Sequence, residues 1–119
     1  LSVSSEQSIE RVDAAAFVAR QLAAQLHVRL AEAEVVCMRL RVVAELATGE
    51  TVARVWRTHE ALTEQATADR VRWQLDGWLT GGRSAKRGGE GGPGAPISLL
   101  RLEPVEVVDA GQGPRVRIG

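Results

Sequence analysis

The spacing of apolar and polar residues changes period several times along the chain, and each change marks a predicted element. Residues 1–5 alternate Leu, Val and Ser, which predicts a short strand. Residues 14–33 repeat apolar positions every three or four residues, which predicts an amphipathic helix with Asp13 as its N-cap. The predicted core stripe of this helix is Phe17, Val18, Ala19, Leu22, Leu26 and Leu30.

Residues 35–47 switch to a period of two, which predicts a strand with one apolar face. Gly49 fits a tight turn that requires positive φ, and residues 51–58 form the predicted return strand. On the first strand the apolar face is Val36, Met38, Leu40 and Val42, and the opposite face is Cys37, Arg39, Arg41 and Val43. On the return strand Arg54 and Trp56 share one face, and Ala53, Val55 and Arg57 share the other.

The second half of the chain predicts one more helix and one more strand. Thr63 is the expected N-cap of the helix, and Gly81 follows its end. Residues 81–96 are Gly-rich without a large apolar residue, so we expect a flexible loop. The last strand starts at Ile97 and continues to Val108, although Pro104 interrupts its hydrogen bonding. The apolar stripe of the second helix is Ala68, Val71, Leu75, Trp78 and Leu79, with Trp73 off the stripe.

The order β-α-β-β-α-β predicts an α+β fold, a split βαβ two-layer sandwich with two helices on one face of a four-stranded sheet. A chain of 119 residues has room for one core. We therefore expect one domain over residues 1–109, followed by a disordered tail at 110–119. Because the chain opens with Leu1 rather than Met, we also expect it to be a fragment or a processed product.

The formal net charge is zero, but the charges are unevenly distributed. Residues 35–58, the predicted strand pair, carry four Arg against two acids. Residues 1–34 carry three Arg against five acids, and residues 59–79 carry two Arg against four. The Gly-rich loop adds three basic residues against one acid. This distribution predicts positive charge on the sheet and negative charge on the helices, so a basic face can bind phosphates in a neutral domain.

The residue types that catalysis or metal binding requires do not cluster. The chain has one Cys, Cys37, and two His, His27 and His59, which are far apart in sequence. Its carboxylates are dispersed, so we predict no catalytic site, no metal and no cofactor. No apolar run is long enough for a membrane helix, and a lone Cys fits a reducing compartment, which predicts a cytoplasmic protein without membrane contact.

The arginines carry the main functional hypothesis. If the helices cover the apolar face of the sheet, arginines on the opposite face could reach adjacent DNA phosphates. The alternative is that they pair with Glu45, Glu50 and Glu103 as a solvated face. Trp56 could be a platform for a base or sugar, or part of the core edge. The arginines predicted on this face are Arg39, Arg41, Arg54 and Arg101.

Four stretches, at 11–17, 53–57, 68–79 and 97–104, carry a resemblance to a known family. Between them they include Arg-Val-Asp-Ala-Ala-Ala-Phe, Ala-Arg-Val-Trp-Arg and an Arg-Trp and a Gly-Trp pair in the second helix. The chain resembles the little-finger, or polymerase-associated, domain of ImuB-like proteins, which are catalytically inactive homologues of Y-family DNA polymerases. The resemblance spans about residues 1–109.

The resemblance implies a non-catalytic DNA-binding domain of an adaptor in damage-induced mutagenesis and translesion synthesis. It implies phosphate contacts to duplex or template–primer DNA. Through the parent protein it implies an ImuA-type accessory protein, an error-prone C-family polymerase and the sliding clamp as partners. The tail from Gly111 lacks the family's clamp-binding motif, and the 81–95 insert is longer than the family's usual connector. The implied DNA-binding set is Arg39, Arg41, Arg54, Trp56, Arg57 and Arg101.

Two other functions stay open. One is a protein-interaction module that recruits mutasome partners without touching DNA. The other is a small-ligand-binding split βαβ domain, which would need an apolar sheet face. The four arginines predicted there argue against a small apolar ligand.

Overall fold

The computed structural model describes residues 1–80 and 96–110, and these residues form the predicted order of elements in the α+β class. The elements are β1 (Val3–Ser5), α1 (Val12–Glu32), β2 (Val35–Leu46), β3 (Thr51–Arg57), α2 (Glu64–Thr80) and β4 (Ile97–Asp109). The predicted flexible loop at 81–96 and the predicted disordered tail at 110–119 lie outside the described residues, apart from Pro96 and Ala110.

The four strands form one antiparallel sheet in the order β1-β4-β2-β3. The central pair, β2 and β4, is long and runs from the pair Val35 and Asp109 to the pair Leu46 and Ile97. β1 and β3 are the edge strands, because within the described residues each pairs with one neighbour only. Since β1 and β3 are both short, much of the central ribbon extends beyond them.

The two helices pack together over one face of this sheet, and the core lies between the layers. Fully buried Leu side chains come from every layer, and each contributes about 1.5–3 kcal/mol relative to an exposed one. The core includes Val18, Leu22, Leu26 and Leu30 of α1, Val71, Leu75 and Leu79 of α2, and Leu40, Val42, Leu100 and Leu102 of the sheet.

The start of α1 differs from the prediction. The helix begins at Val12, and its N-cap residue Arg11 makes no side-chain capping hydrogen bond. Asp13 is therefore not the N-cap but lies in the first turn, where its carboxylate accepts a hydrogen bond from the Ala14 N–H at 3.0 Å. Phe17 is 49% exposed rather than part of the core stripe. The reason is that one residue before Val18 lies about 100° around the helix from it.

A β-bulge explains why the predicted faces of β2 fail at its start. Cys37 pairs with Val107 and Arg39 with Glu106, so β2 contains an extra residue at Met38. The bulge turns Cys37 into the core, where it is 1% exposed, and leaves Met38 only half-buried. From Arg39 onward the alternation follows the prediction.

Two local predictions are confirmed and one is partly so. Gly49 has a φ of 99° in the turn between β2 and β3. The Thr63 hydroxyl oxygen accepts a hydrogen bond from the Ala66 N–H at 3.0 Å, so Thr63 caps α2 as predicted. In the predicted stripe of α2, Trp78 is half-buried against the core, while Trp73 is 56% exposed.

Candidate nucleic-acid interface

The face of the sheet turned away from the helices, here called the open face, is defined by strand register. Residues directly opposite each other on neighbouring strands project from the same face. Arg39 is opposite Arg57, and Arg41 is opposite both Val55 and Glu103. Arg101 is opposite Val43 on β2 and Ser4 on β1. The arginines of the open face are therefore Arg39, Arg41, Arg57 and Arg101.

Arg39, Arg41 and Arg101 thus lie on the open face as predicted, but the placement of Arg54 there is wrong. Arg54 is opposite Val42, whose side chain is fully buried beneath the helices. Because side chains alternate along a strand, Arg54 shares the helix-covered side with Trp56. Arg57 projects from the open face and is exposed.

Carboxylates from β4 accompany three of the open-face arginines. The two oxygens of Glu103 bind separate partners, Arg41 at 3.2 Å and Arg101 at 2.8 Å. Arg39 pairs with Glu106 at 3.4 Å. Pairing with Glu103 is what the solvated-face alternative predicted. Each of these half-exposed pairs stabilises the fold by about 1 kcal/mol or less, so a phosphate can replace the carboxylate without unfolding the sheet.

The other two carboxylates of that alternative behave differently. Within residues 1–80 and 96–110, Glu45 and Glu50 form no ion pair. Glu106, which sequence reasoning missed, takes their place. Its position follows from an irregularity in β4, where Arg39 pairs with Glu106 but the next residue, Leu40, pairs with Pro104. A regular alternation would not place Glu106 beside Arg39, so no sequence signal marked it.

A second group of cations lies at the edge of the sheet. The guanidinium carbon of Arg54 is 4.7 Å from the centroid of the Trp56 ring, and that of Arg70 on α2 is 5.9 Å from it. We call Arg54, Trp56 and Arg70 the edge cluster. Trp56 is half-buried and packs against the core, as the core-edge interpretation expected. Sequence reasoning missed Arg70, because only the packing of α2 against β3 brings it to this ring.

The side chains of His27 and Cys37 make hydrogen bonds within the fold. The Thr67 hydroxyl donates to the Thr63 carbonyl oxygen at 2.8 Å, so it accepts from His27 Nε2–H at 3.0 Å. Burial lowers the pKa of His27 and raises the pKa of the Cys37 thiol. The thiol donates to the Arg39 carbonyl oxygen at 3.3 Å. Because burial raises its pKa, the thiol stays in its protonated, weakly nucleophilic form.

Among the described residues, no group of three or more His, Cys, Asp or Glu is arranged to hold a metal ion. No helix in this part of the chain is both long and apolar enough to span a membrane.

The fold matches solved structures of Y-family DNA polymerases. A Y-family polymerase chimera of Dbh and Dpo4 matches with a TM-score of 0.64 and 6% identity, over 91% of this chain and 28% of the polymerase. DinB from Sulfolobus solfataricus matches with a TM-score of 0.59 and 7% identity, over 91% of this chain and 27% of that one. The chain therefore spans just over a quarter of these polymerases.

The matched part corresponds to one domain. The little finger domain of PolIV, in a structure of its complex with the β-clamp processivity factor, matches with a TM-score of 0.61 and 16% identity. That match covers 85% of this chain and 82% of the little finger chain. The chain thus has the fold of a Y-family little finger domain. No family model and no curated protein sequence matches the chain.

Proposed function

We propose that this chain is a DNA-binding domain that holds the backbone of duplex or template–primer DNA on the open face of its sheet. The observation that carries the proposal is the placement of four arginines on the sheet face that the two described helices leave open, in a little finger fold. Guanidinium groups suit phosphate because their donors form paired hydrogen bonds with its oxygens. Those arginines are Arg39, Arg41, Arg57 and Arg101.

Binding of this kind exchanges one set of ion pairs for another. In the free domain Glu103 holds Arg41 and Arg101, and Glu106 holds Arg39. An approaching phosphate competes with these carboxylates for the same donors. The exchange lowers the net free energy gained per contact, so the affinity is modest. Because the contacts are to phosphates, binding is independent of base sequence and steeply dependent on salt.

The parent protein, in this proposal, is a catalytically inactive, ImuB-like homologue of Y-family polymerases that acts as an adaptor in damage-induced mutagenesis in the bacterial cytoplasm. The support is the resemblance carried by residues 53–57 and 68–79. The ImuA-type protein, the C-family polymerase and the sliding clamp would then be partners of the parent protein. The chain contributes DNA contact and no catalysis.

A salt series of DNA titrations tests the proposal. The 119-residue chain is titrated with two fluorescent duplexes of unrelated sequence at several salt concentrations. Both duplexes should bind equally well. A plot of the logarithm of the binding constant against the logarithm of the salt concentration should have a slope of about −3.6 or steeper, as expected for at least the four phosphate contacts of the open-face arginines.

Arg57→Ala should reduce the steepness of that slope by about one unit on both duplexes, because it removes one phosphate contact. The matched control is Arg20→Ala. Arg20 is exposed on α1, so this variant removes the same charge from a position that is not on the sheet. A domain whose binding depends on base sequence, or shows no salt dependence, contradicts the proposal.

A second candidate is a protein-interaction module without DNA contact. Three large apolar side chains on the helical layer favour it: Phe17, Val28 and Trp73 are each about half exposed. Phe17 and Val28 lie three turns apart on one side of α1, because eleven residues nearly complete three turns. In that case the wild-type chain would show no salt-dependent duplex binding, and replacing Phe17 by Ser would weaken partner binding.

A further inference from the structure

One strand of the sheet, β3, carries arginines but no carboxylates. β3 carries Arg54 and Arg57 and no acid, whereas β4 carries Arg101 against three acids. Within residues 1–80 and 96–110, no carboxylate forms an ion pair with either arginine of β3 or with Arg70. The edge of the sheet at β3 is therefore where uncompensated positive charge gathers.

The edge cluster places two of these cations on one aromatic ring. The guanidinium groups of Arg54 and Arg70 both contact the ring of Trp56, and they come from different elements, β3 and α2. Arg70 is further held by a hydrogen bond from Nη1 to the Ala66 carbonyl oxygen at 3.4 Å. Two cations at one ring, neither of them in an ion pair with a carboxylate of the described residues, make this part of the surface positive and attract an anion.

We propose that the edge cluster is a phosphate-binding site for a nucleic-acid backbone, on the helix side of β3. The inference rests on the proposed function and extends it around the edge of the sheet. Arg57 then contacts the backbone from the open face, while Arg54 and Arg70 contact it beyond the outer edge of the same strand. The cluster adds Arg70, a residue of the helical layer, to the binding surface.

Trp56 acts in this site as a positioning residue. The indole ring is half-buried against the core, so its place is fixed by the fold. A base that stacked on the ring would compete with the two guanidinium groups already there. Cation–π contact restricts these long side chains, so they lose less conformational freedom when a phosphate binds.

The test compares arginine variants that remove the same charge from different places. Arg54→Ala and Arg70→Ala should each weaken duplex binding about three- to tenfold at low salt and reduce the steepness of the salt slope by about one unit. Arg72→Ala is the matched control, because Arg72 is exposed on the same helix but lies about 200° around it from Arg70. We expect it to change affinity less than twofold.

A charge-neutral pair of variants tests the positioning role. Trp56→Leu keeps both arginines but removes the ring, and it should weaken binding severalfold. Trp56→Phe restores an aromatic face and should recover most of the affinity. In the wild-type chain the indole N–H resonance of Trp56, identified by its loss in Trp56→Phe, should shift when duplex is added.

The outcomes separate this inference from the function on which it rests. If the chain binds both duplexes with the expected slope but Arg54→Ala and Arg70→Ala behave like Arg72→Ala, the edge site is wrong and the open-face function stands. If the chain shows no salt-dependent binding to any duplex, the proposed function fails and the edge site fails with it. Loss of affinity on Trp56→Leu without recovery in Trp56→Phe would contradict the positioning role.

Discussion

The centre of the open face and the edge of the sheet at β3 both present arginines, but their electrostatic surroundings differ. At the centre, Glu103 holds Arg41 and Arg101 within 3.2 Å, so one carboxylate offsets half of the positive charge of these two arginines. At the edge, Arg54 and Arg70 contact an aromatic ring instead of a carboxylate. An aromatic ring orients a cation and leaves its net charge in place.

The number of charges along a segment therefore does not reveal the charge of a surface. Residues 35–58, which form β2 and β3, carry an excess of Arg. In the folded sheet, however, β2 lies beside β4, and β4 brings Glu103 and Glu106 to the arginines of the open face. Glu103 is 62 positions away from Arg41, and Glu106 is 67 positions away from Arg39. The ion pairs of the folded sheet show where positive charge is left over. Within residues 1–80 and 96–110, Arg54 and Arg57 of β3 pair with no carboxylate, so that place is the outer edge of β3.

The largest expected effect comes from the core that both regions share. Leu26→Ala should lower the free energy of unfolding by about 2–5 kcal/mol, because Leu26 is fully buried and its truncation leaves a cavity. Urea denaturation measures this loss. Val28→Ala, on the exposed side of the same helix, should change it by no more than about 0.5 kcal/mol. A loss near 1 kcal/mol for Leu26→Ala would mean that the two regions do not rest on one cooperative core.

The next prediction concerns the carboxylate at the centre. Glu103→Gln should tighten duplex binding roughly three- to tenfold at low salt and steepen the salt slope, because it frees Arg41 and Arg101 for phosphates. DNA titrations measure both quantities. Glu45→Gln is the control: it removes the same charge from β2, where Glu45 forms no ion pair with the described residues. Equal effects of the two variants would show that Glu103 does not restrain the arginines.

The smallest expected effect is a pH dependence of stability. Burial holds the pKa of His27 below its unfolded value of 6.5, although Glu64 opposes the shift. Below pH 6.5 the unfolded chain therefore gains a proton before the folded chain does, and stability should fall as the pH decreases. The decline should level off once the folded state is also protonated. Urea denaturation across this pH range measures the decline.

His27→Gln should flatten this part of the pH profile while keeping a donor for Thr67. The hydrogen bond between His27 and Thr67 joins α1 to α2, the helix that carries Arg70. This contact therefore supports the edge cluster rather than the centre of the open face. If the pH dependence of the free energy of unfolding is the same in His27→Gln, it comes from other groups.

Local patterns in the sequence predict much of this fold. The four-residue spacing from Val18 to Leu30, the positive φ of Gly49 and the Thr63 cap each depend on a few neighbouring residues, and all three are confirmed. The β-bulge at Met38 was not predictable, because an extra residue in a strand shows only against its partner, and it moves Cys37 to the other face.

The candidate site was less predictable than the fold. Arg39, Arg41 and Arg101 follow from strand alternation, and alternation correctly placed Arg54 beside Trp56. The error was to count Arg54 among the open-face arginines all the same. The contact of Arg70 with Trp56 depends on where α2 lies relative to β3, which is a property of the whole packing.

The most direct test of the DNA-binding account is a map of backbone amide chemical-shift changes when a short duplex is added to the isotopically labelled chain. We expect the largest changes along β3 and at the open-face positions of β2 and β4, with the Trp56 indole N–H among them. All of these changes should become smaller as salt is added. Changes centred on Phe17 and Val28 of α1, with β3 unaffected, would contradict it.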